Sequence, residues 1–400
     1  MFDWSFIHTE SFKTSIQIIL GVIAFVAFGW GFYVYAKPLK PGEKPHPAIL
    51  IFLGLTIVIS IALITFANTI PIKTGSNSTT SSTPTPTPTP TPTLTQTPTQ
   101  TPTPDSPSEN QDRQSQPQII SFKDKNLEIT IKNAIGKGDN EAIYIDDVKT
   151  LKEIKGNPSI CINDLSGIEY CTDLLYLELY GGNINNISPL KSLINLKYLI
   201  INKGNISDIS PLNNFKNLEY LAIRSNQLND ISALKELVNL TYLDIQMNNI
   251  TNITSLIGLT KLTELVIFNN NIKDISPLED MVNLTTLNMG GNQIENIDVL
   301  KNMNKLIMLT FPNNQVKDLS SLQDLSNLKY LSLENNYVKD ISYLKRLLNL
   351  YALDLSYNRI NDIRDLKGLV NIKELDLSYN YIDDFSPVHG YYSQETWPEF

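Results

Sequence analysis

The feature that most constrains the fold is a repeat of 22 residues that runs without insertion through the second half of the chain. Apolar residues mark its start ten times, at Leu174, Leu196, Leu218, Leu240, Leu262, Leu284, Leu306, Leu328, Leu350 and Ile372. A unit this short cannot bury its apolar face alone, whereas units stacked in register share one continuous core. The sequence therefore predicts a solenoid built from copies of one motif over residues 174–390.

Each repeat has the same internal apolar pattern, which one copy illustrates with Leu240, Leu243, Ile245, Asn248, Ile250, Ile253, Leu256 and Leu259. The L-x-L alternation places two side chains on one face of a short strand. Apolar residues spaced by three suit a tight helical turn, and the period is too short for a full α-helix on the return. We therefore predict an α/β solenoid, with one curved parallel sheet of ten strands and short 3₁₀ turns on its convex side.

An Asn column and a recurring turn sequence complete the repeat. The column follows the predicted strands at Asn226, Asn248, Asn270, Asn292, Asn314, Asn336, Asn358 and Asn380, with Gly182 and Gly204 in the first two repeats. Inward-pointing amides there are predicted to bond the backbone groups that leave the sheet ladder at the bend. The string "DISPL", at 208 and 274, opens the return with Asp and Pro. It is interpreted as turn chemistry and not as an active site.

The 22-residue unit with "DISPL" and "NLxYLxL" resembles the internalin-type bacterial leucine-rich repeats, over about 123 to 390. The stretch that begins "KDKNLEITIKNAIGKGDN" resembles the helical N-terminal cap of that family. Residues Ile162, Leu165, Ile168 and Cys171 are in register with the next repeat, so 119–173 is predicted as the cap plus a half-repeat. The resemblance implies a binding module and not a catalyst. Residues 391–400, rich in aromatic side chains, are predicted to cap the last repeat.

Residues 1–73 contain two uncharged apolar runs, at about 14–36 and 48–70. Each reaches the roughly 20 residues that a helix needs to cross a bilayer, so two transmembrane helices are predicted. A cleaved signal peptide ending near "VYA" at 34–36 is the alternative, although the apolar run is long for one and lacks a clear basic leader. The short basic loop between the runs favours a cytoplasmic loop and an extracellular repeat domain.

Residues 74–118 form a Thr/Pro-rich segment in which Thr and Pro alternate over long stretches. Pro restricts its own φ and that of the residue before it, so a disordered, extended linker is predicted. At about 3.1 Å per residue, such a linker could hold a domain on the order of 140 Å from a membrane. A cytosolic linker is the alternative reading.

Composition narrows the function by exclusion. The formal charge is −9, and all of it falls after residue 119, so an acidic domain argues against nucleic acid as a partner. The three His, His8, His46 and His389, supply neither a dyad nor a metal cluster with the two Cys. We therefore predict no enzyme activity, no cofactor and no metal site. Cys161 and Cys171 leave two states open, a disulfide or two thiols.

The outward strand positions are the candidate ligand-binding face. Its candidate residues are Tyr176, Tyr198, Tyr220, Tyr242, Ile200, Arg224, Val266, Phe268 and Tyr330. Tyr offers a large contact area with few rotors to freeze, so the Tyr run is interpreted as a ligand footprint. Stacking that merely stabilises the sheet is the alternative. Asp354 and Asp376 are interpreted as solvated consensus residues and not as a Ca²⁺ site.

Together these features predict a membrane-anchored protein whose extracellular leucine-rich repeat module binds a protein ligand without catalysis. Two alternatives stay open. The Tyr run could stack on sugar rings of a cell-wall polysaccharide. With the topology inverted, the chain would be a cytosolic, membrane-tethered scaffold.

Overall fold

The computed structural model describes residues 117–391. The two predicted transmembrane helices, residues 74–116 of the predicted linker and residues 392–400 lie outside this range. Within the described range, no helix combines the length and the apolar character needed to span a bilayer.

A small helical cap begins the described chain. Helix α1, Lys125–Ile135, starts at Asp124, whose carboxylate accepts hydrogen bonds from the Asn126 and Leu127 amides at 2.7 and 3.1 Å. It ends at Gly136, whose φ of 70° lies in the left-handed region that glycine adopts without steric cost. A second short helix, α2, spans Ile145–Val148. The predicted helical cap is therefore present.

Eleven strands in the described part of the chain form one parallel sheet whose spatial order follows the sequence. They are β1 Glu153–Lys155, β2 Tyr176–Tyr180, β3 Tyr198–Asn202, β4 Tyr220–Ala222, β5 Tyr242–Asp244, β6 Glu264–Val266, β7 Thr286–Asn288, β8 Met308–Thr310, β9 Tyr330–Ser332, β10 Ala352–Asp354 and β11 Glu374–Asp376. Equivalent residues of neighbouring repeats pair directly, as Leu199 does with Leu221. The predicted in-register parallel sheet is confirmed.

The number of strands corrects the prediction of ten, because the cap supplies one more. β1 pairs with β2 in parallel, with Ile154 opposite Leu177. Its three residues are Glu, Ile and Lys, so only one apolar side chain marks it and the repeat pattern does not extend to it. The strand gives β2 a hydrogen-bonded neighbour on the side where the first repeat would otherwise present an unpaired edge.

The return legs are 3₁₀ turns, as predicted from the short period. Within residues 117–391 they span Ile168–Tyr170, Ser188–Ser192, Ser210–Leu212, Ser232–Glu236, Thr254–Leu256, Ser276–Leu278, Asp298–Asn302, Ser320–Leu322, Ser342–Arg346, Arg364–Gly368 and Ser386–Val388. In "DISPL" the Asp208 carboxylate accepts a hydrogen bond from the Ser210 amide at 2.8 Å, and Pro211 lies in the first turn. The motif is a turn element, as interpreted.

The Asn column closes the bend after each strand. The Asn248 side-chain amide donates to the carbonyls of Ile223 and Ile245, both at 3.0 Å, and its oxygen accepts from the Leu228 amide at 3.0 Å. The same pattern repeats from one Asn to the next along the column. These side chains are buried, except for the half-buried Asn380, and they bind backbone groups that the sheet leaves without partners, which confirms the predicted role.

One continuous apolar core runs between the sheet and the turns. At its C-terminal end, the partly buried Tyr391 packs against this core, and its hydroxyl donates to the Leu366 carbonyl. Cys161 and Cys171 are both free thiols, the first exposed and the second buried in the core. Burial raises the pKa of the Cys171 thiol to about 12.

Candidate ligand-binding face

The outward side chains of the strands, here called the strand face, carry a stack of four Tyr rings. Tyr176 and Tyr198 have ring centroids 5.9 Å apart, as do Tyr198 and Tyr220. Tyr220 and Tyr242 are closer and nearly parallel, at 4.0 Å and 3°. In-register parallel strands place equivalent residues side by side, so four consecutive repeats with Tyr at one position produce a continuous aromatic surface.

The stack differs in exposure along its length. Tyr198 is the most open, with 39% of its surface exposed, whereas Tyr176, Tyr220 and Tyr242 are half-buried. Ile200 lies beside the stack on β3 and is also half-buried. Tyr330 is 38% exposed but lies on β9, four strands beyond β5, where its nearest aromatic ring is Tyr351 at 6.0 Å. The structure therefore gathers the four Tyr of β2 to β5 and leaves Tyr330 apart.

At the N-terminal end of the stack, Glu178 holds two Tyr hydroxyls. Tyr176 donates to one carboxylate oxygen at 2.9 Å, and Tyr180 donates to the other. The Lys155 ammonium lies 5.4 Å from the centroid of the Tyr176 ring. Burial and the Glu178 carboxylate raise the pKa values of both Tyr, so their hydroxyls stay protonated as donors.

At the other end of the stack, Arg224 and Asp244 form an ion pair that contacts the Tyr242 hydroxyl. Arg224 Nε lies 2.6 Å from Asp244 Oδ2, and an Arg224 terminal nitrogen donates to the Tyr242 hydroxyl at 3.1 Å. The Gln246 side chain donates to the same carboxylate at 3.0 Å. Burial raises the pKa of Asp244, and the Arg224 guanidinium and these hydrogen bonds oppose that rise. The pair therefore fixes the position of the Tyr242 hydroxyl.

The outward residues form three columns along the strand face, as Tyr242 and Asp244 do on β5 and Gln246 does just after it. The middle column is more enclosed than the alternation of the strands predicts. Val266 was expected to face solvent, but it is buried, with 1% of its surface exposed. Ala222 and Asp244, at equivalent positions, are buried as well. The physical reason is the height of the flanking side chains, since long residues of the outer columns rise above a short residue between them. Val266 therefore supports the face from below and does not offer a contact surface.

Phe268, in the third column, is half-buried and has space on the side of the next repeat. A Cβ at Gly290, its equivalent on that repeat, would lie 3.0 Å from Phe268 Cδ2 and 2.7 Å from Pro312 Cδ. The glycine thus gives the ring the room it occupies. The face keeps an apolar surface one strand beyond the Tyr stack.

A family model described as leucine-rich repeats in two copies matches residues 194–236, 216–258, 238–278, 260–302, 304–346 and 349–388. The described domain is a leucine-rich repeat domain. No curated protein matches the chain significantly.

The leucine-rich repeat domain is similar to a solved internalin, InlF, from Listeria monocytogenes. The two are 28% identical with a TM-score of 0.58, and the match covers 70% of this chain and 96% of the internalin. A leucine-rich repeat protein of Leptospira interrogans is 23% identical with a TM-score of 0.50, over 60% of this chain and 69% of that one. This second match concerns the fold alone. The predicted internalin-type repeat is supported by the first.

A plant receptor shares the fold of this leucine-rich repeat domain. The Arabidopsis receptor kinase HAESA, solved in complex with the peptide hormone IDA and the co-receptor SERK1, is 22% identical with a TM-score of 0.53. The match covers 58% of this chain and 42% of the plant receptor. The identity is low enough that this likeness also concerns the fold alone.

The leucine-rich repeat domain supplies polar partners that the sequence pattern did not identify. Glu178 and Asp244 each bind a member of the candidate face, and Gln246 binds Asp244. The spacing of two residues between Tyr176 and Glu178, and between Tyr242 and Asp244, could have indicated them, since such residues point to the same side of a strand.

Toward the C-terminus the strand face of the leucine-rich repeat domain is acidic. Asp354 and Asp376 pair in register on β10 and β11. Burial raises the pKa of Asp354 to about 6, and the Asp376 charge adds to that rise. In the described part of the chain, no three His, Cys, Asp or Glu side chains are grouped as metal ligands would be.

Proposed function

We propose that this protein is a non-catalytic receptor or adhesin that recognises a protein ligand through the strand face of its leucine-rich repeat domain. The observation that carries the proposal is the aromatic stack of Tyr176, Tyr198, Tyr220 and Tyr242 across four adjacent strands. Leucine-rich repeat domains are interaction modules whose stacked strands offer an extended binding surface.

The stack has the physical properties of a binding surface. Its rings offer a large contact area, and each Tyr loses little side-chain conformational entropy on binding. Glu178 and Arg224 already hold Tyr hydroxyls at the two ends of the stack, so part of the ordering cost is met before a ligand arrives. Ile200 and Phe268 extend the apolar area beside the rings. The proposed contact set is the four Tyr of the stack with Ile200 and Phe268. Three candidates are left out, because Val266 is buried, Tyr330 lies apart from the stack, and Arg224 supports the Tyr242 hydroxyl.

The proposed location is outside a cell membrane, with the chain anchored by its N-terminal apolar runs. The runs at about 14–36 and 48–70 have the length of membrane-spanning helices. The basic loop between them favours the cytoplasmic side, which places the repeat domain on the other side. The Thr/Pro-rich segment would then separate the domain from the membrane.

The similar proteins agree with a receptor or adhesin role for this chain. The plant receptor of the same fold was solved with a peptide hormone and a co-receptor, both of them polypeptides. The internalin is similar over nearly its whole length, which makes a non-catalytic role the expectation here. We therefore favour a polypeptide ligand over a wall polysaccharide.

The location is tested by protease treatment of intact cells, with lysed cells as the control. A probe against residues 120–400 should lose its signal when protease is added outside. Protection until lysis would overturn the extracellular topology and favour the cytosolic scaffold.

The binding face is tested by replacing Tyr198, Tyr220 and Tyr242 with Ser in the full-length chain. Proteins and wall glycans retained by the wild type are compared with those retained by this variant. Tyr351→Ser is the matched control, because Tyr351 is 42% exposed but precedes β10 outside the stack. We expect the triple variant to lose a retained protein that the control keeps. Retention of that protein by both variants would refute the proposed face, and selective loss of a glycan would favour the polysaccharide alternative.

A further inference from the structure

A second exposed aromatic surface lies at the loops that follow the strands of the last repeats. It consists of Tyr337, Tyr357, Tyr379 and Tyr381, here called the tyrosine edge. Tyr357 and Tyr379 have ring centroids 4.1 Å apart at an angle of 14°. Tyr337 stacks under the guanidinium of Arg359, whose Cζ lies 4.5 Å from the ring centroid. This surface is distinct from the strand face, because its residues flank the Asn column at the bend.

The earlier repeats have no aromatic side chain at the same two positions. The residue that precedes the Asn column has positive φ. In the repeats earlier than those of Tyr357 and Tyr379, this position holds Lys203, Ser225, Met247, Asn269, Gly291, Asn313 and Asn335. The residue after the Asn is Asn205, Gln227, Asn249, Asn271, Gln293 and Gln315 in earlier repeats. Amides there bond their neighbours, as Gln227 does with Asn205 at 3.1 Å. The bend therefore forms without aromatic residues.

The aromatic rings of the edge are not part of the core. Tyr379 and Tyr381 are each 69% exposed, and Tyr337 is 40% exposed. Tyr357 and Tyr379 also adopt φ values of 55° and 56°, a region that bulky residues rarely occupy. Asn, which tolerates this conformation better, occupies the position in other repeats. None of the four rings packs against the apolar core, so the core does not require them.

The repeats that carry the tyrosine edge also contain the carboxylates of Glu334, Asp376, Asp383 and Asp384. Burial, the Tyr379 hydroxyl and the carboxylates of Glu334 and Asp376 raise the pKa of Tyr357. Asp383 and Asp384 follow Tyr381 and are exposed. Aromatic faces attract cations, and guanidinium groups stack on them. The Arg359 and Tyr337 pair is an example of this geometry within the domain.

We propose that the tyrosine edge is a second docking surface, which takes an Arg-bearing polypeptide segment of a partner protein. Guanidinium groups would lie on the exposed faces of Tyr379 and Tyr381, and the neighbouring carboxylates would pair with their charge. The occupant is chosen by charge complementarity, since the rings alone would also accept a sugar. The surface extends the proposed function, because it would engage a partner separately from the strand face.

The test uses a fluorescein-labelled peptide of alternating Gly and Arg and its citrulline counterpart, which has the same shape without the charge. Fluorescence anisotropy gives the Kd of each peptide for the full-length chain, kept in mild detergent throughout. In the edge variant, Tyr337 and Tyr381 become Gln, and Tyr357 and Tyr379 become Asn. These are the residue types that Gln315 and Asn335 supply at equivalent positions, so the variant should fold, and circular dichroism checks this.

We expect the wild type to bind the Arg peptide at least about tenfold more tightly than the citrulline peptide, and the edge variant to weaken Arg binding by about tenfold. Tyr198→Ser controls for the strand face, and Glu279→Gln with Glu295→Gln controls for charge elsewhere. Both controls should keep the wild-type Kd. Equal binding of the two peptides, an unchanged Kd in the edge variant or an equal loss in the charge control would overturn the proposal. Selective loss of binding to an N-acetylglucosamine oligomer would overturn it in favour of a glycan.

Discussion

Arg224 and Asp244 form an ion pair across two adjacent strands, with Nε and Oδ2 2.6 Å apart. Asp244 is fully buried although its position faces outward from the sheet, while the Arg224 side chain keeps 27% of its surface exposed. The two partners therefore differ in how much they depend on each other. Asp244 is shielded from water and depends on Arg224 for its counter-charge, whereas Arg224 can still be solvated without Asp244.

This asymmetry predicts unequal effects of the two substitutions. Arg224→Met should destabilise the domain by about 3 kcal/mol, because it leaves a buried carboxylate without its counter-charge. Asp244→Val, which installs the residue that β6 has at this position as Val266, should cost less. The double variant should recover most of the loss. Urea unfolding of the full-length chain measures this, and a double variant as unstable as Arg224→Met would contradict the assignment.

The Asn column predicts that replacing a buried Asn lowers the stability of the domain strongly, whereas replacing its exposed neighbour has little effect on stability. Asn248→Ala removes three donated hydrogen bonds and one accepted bond, all to backbone groups. We expect a loss of about 3 kcal/mol, since the stranded groups are buried. Asn249→Ala, at an exposed neighbour, is the control and should change stability by less than about 0.5 kcal/mol. Similar urea midpoints for the two variants would rule out the column as a stabilising ladder.

Asp354 predicts a pH-dependent stability. Burial raises its pKa from 3.8 to about 6, so the native state binds a proton more tightly than the unfolded chain. Stability should therefore fall as the pH rises through this range, and it should stay lower above it. Asp354→Asn should stabilise the domain by about 2 kcal/mol at pH 7.5 and have little effect at pH 4.

Thermal unfolding at the two pH values checks the Asp354 prediction. The control is Asp362→Asn, because Asp362 is exposed and the Arg364 guanidinium lowers its pKa to about 2. That substitution should not stabilise the domain at pH 7.5. An equal gain from Asp354→Asn at both pH values would show that burial of the charge is not the cause.

Asp124 predicts a link between the cap and the first half-repeat. Its carboxylate caps α1 and also accepts a hydrogen bond from the Asn163 amide at 2.6 Å. Asp124→Ala should cost about 2 kcal/mol, more than the roughly 1 kcal/mol typical of a helix N-cap. It should also raise hydrogen exchange at Asn163. Lys125→Ala is the control. Equal hydrogen exchange at Asn163 in the two variants would contradict the predicted link between the helix cap and the half-repeat.

The sequence predicted the parts of the fold that depend on local pattern and exact repetition. Strand, 3₁₀ turn and Asn bend each follow from residues within one 22-residue unit, and an unbroken period places every unit in the same register. The Tyr stack was predicted for the same reason, because Tyr176, Tyr198, Tyr220 and Tyr242 share one position in the repeat. Because the repeats are in register, the position of one residue in the repeat predicts which residues lie beside it on the neighbouring strands.

The tertiary structure decided what happens between unlike residues on neighbouring strands. The burial of Val266 and Asp244 depends on the heights of the side chains around them, which the alternation of a single strand does not contain. The extra strand β1 follows from a need to pair the first edge of the sheet, and not from the repeat. The partner of Arg224 likewise lies on the neighbouring strand, where a guanidinium and a carboxylate meet across the sheet. The repeat pattern can be recognised in the sequence alone, whereas burial and hydrogen bonding at these positions depend on the size and charge of side chains that meet only in the folded structure.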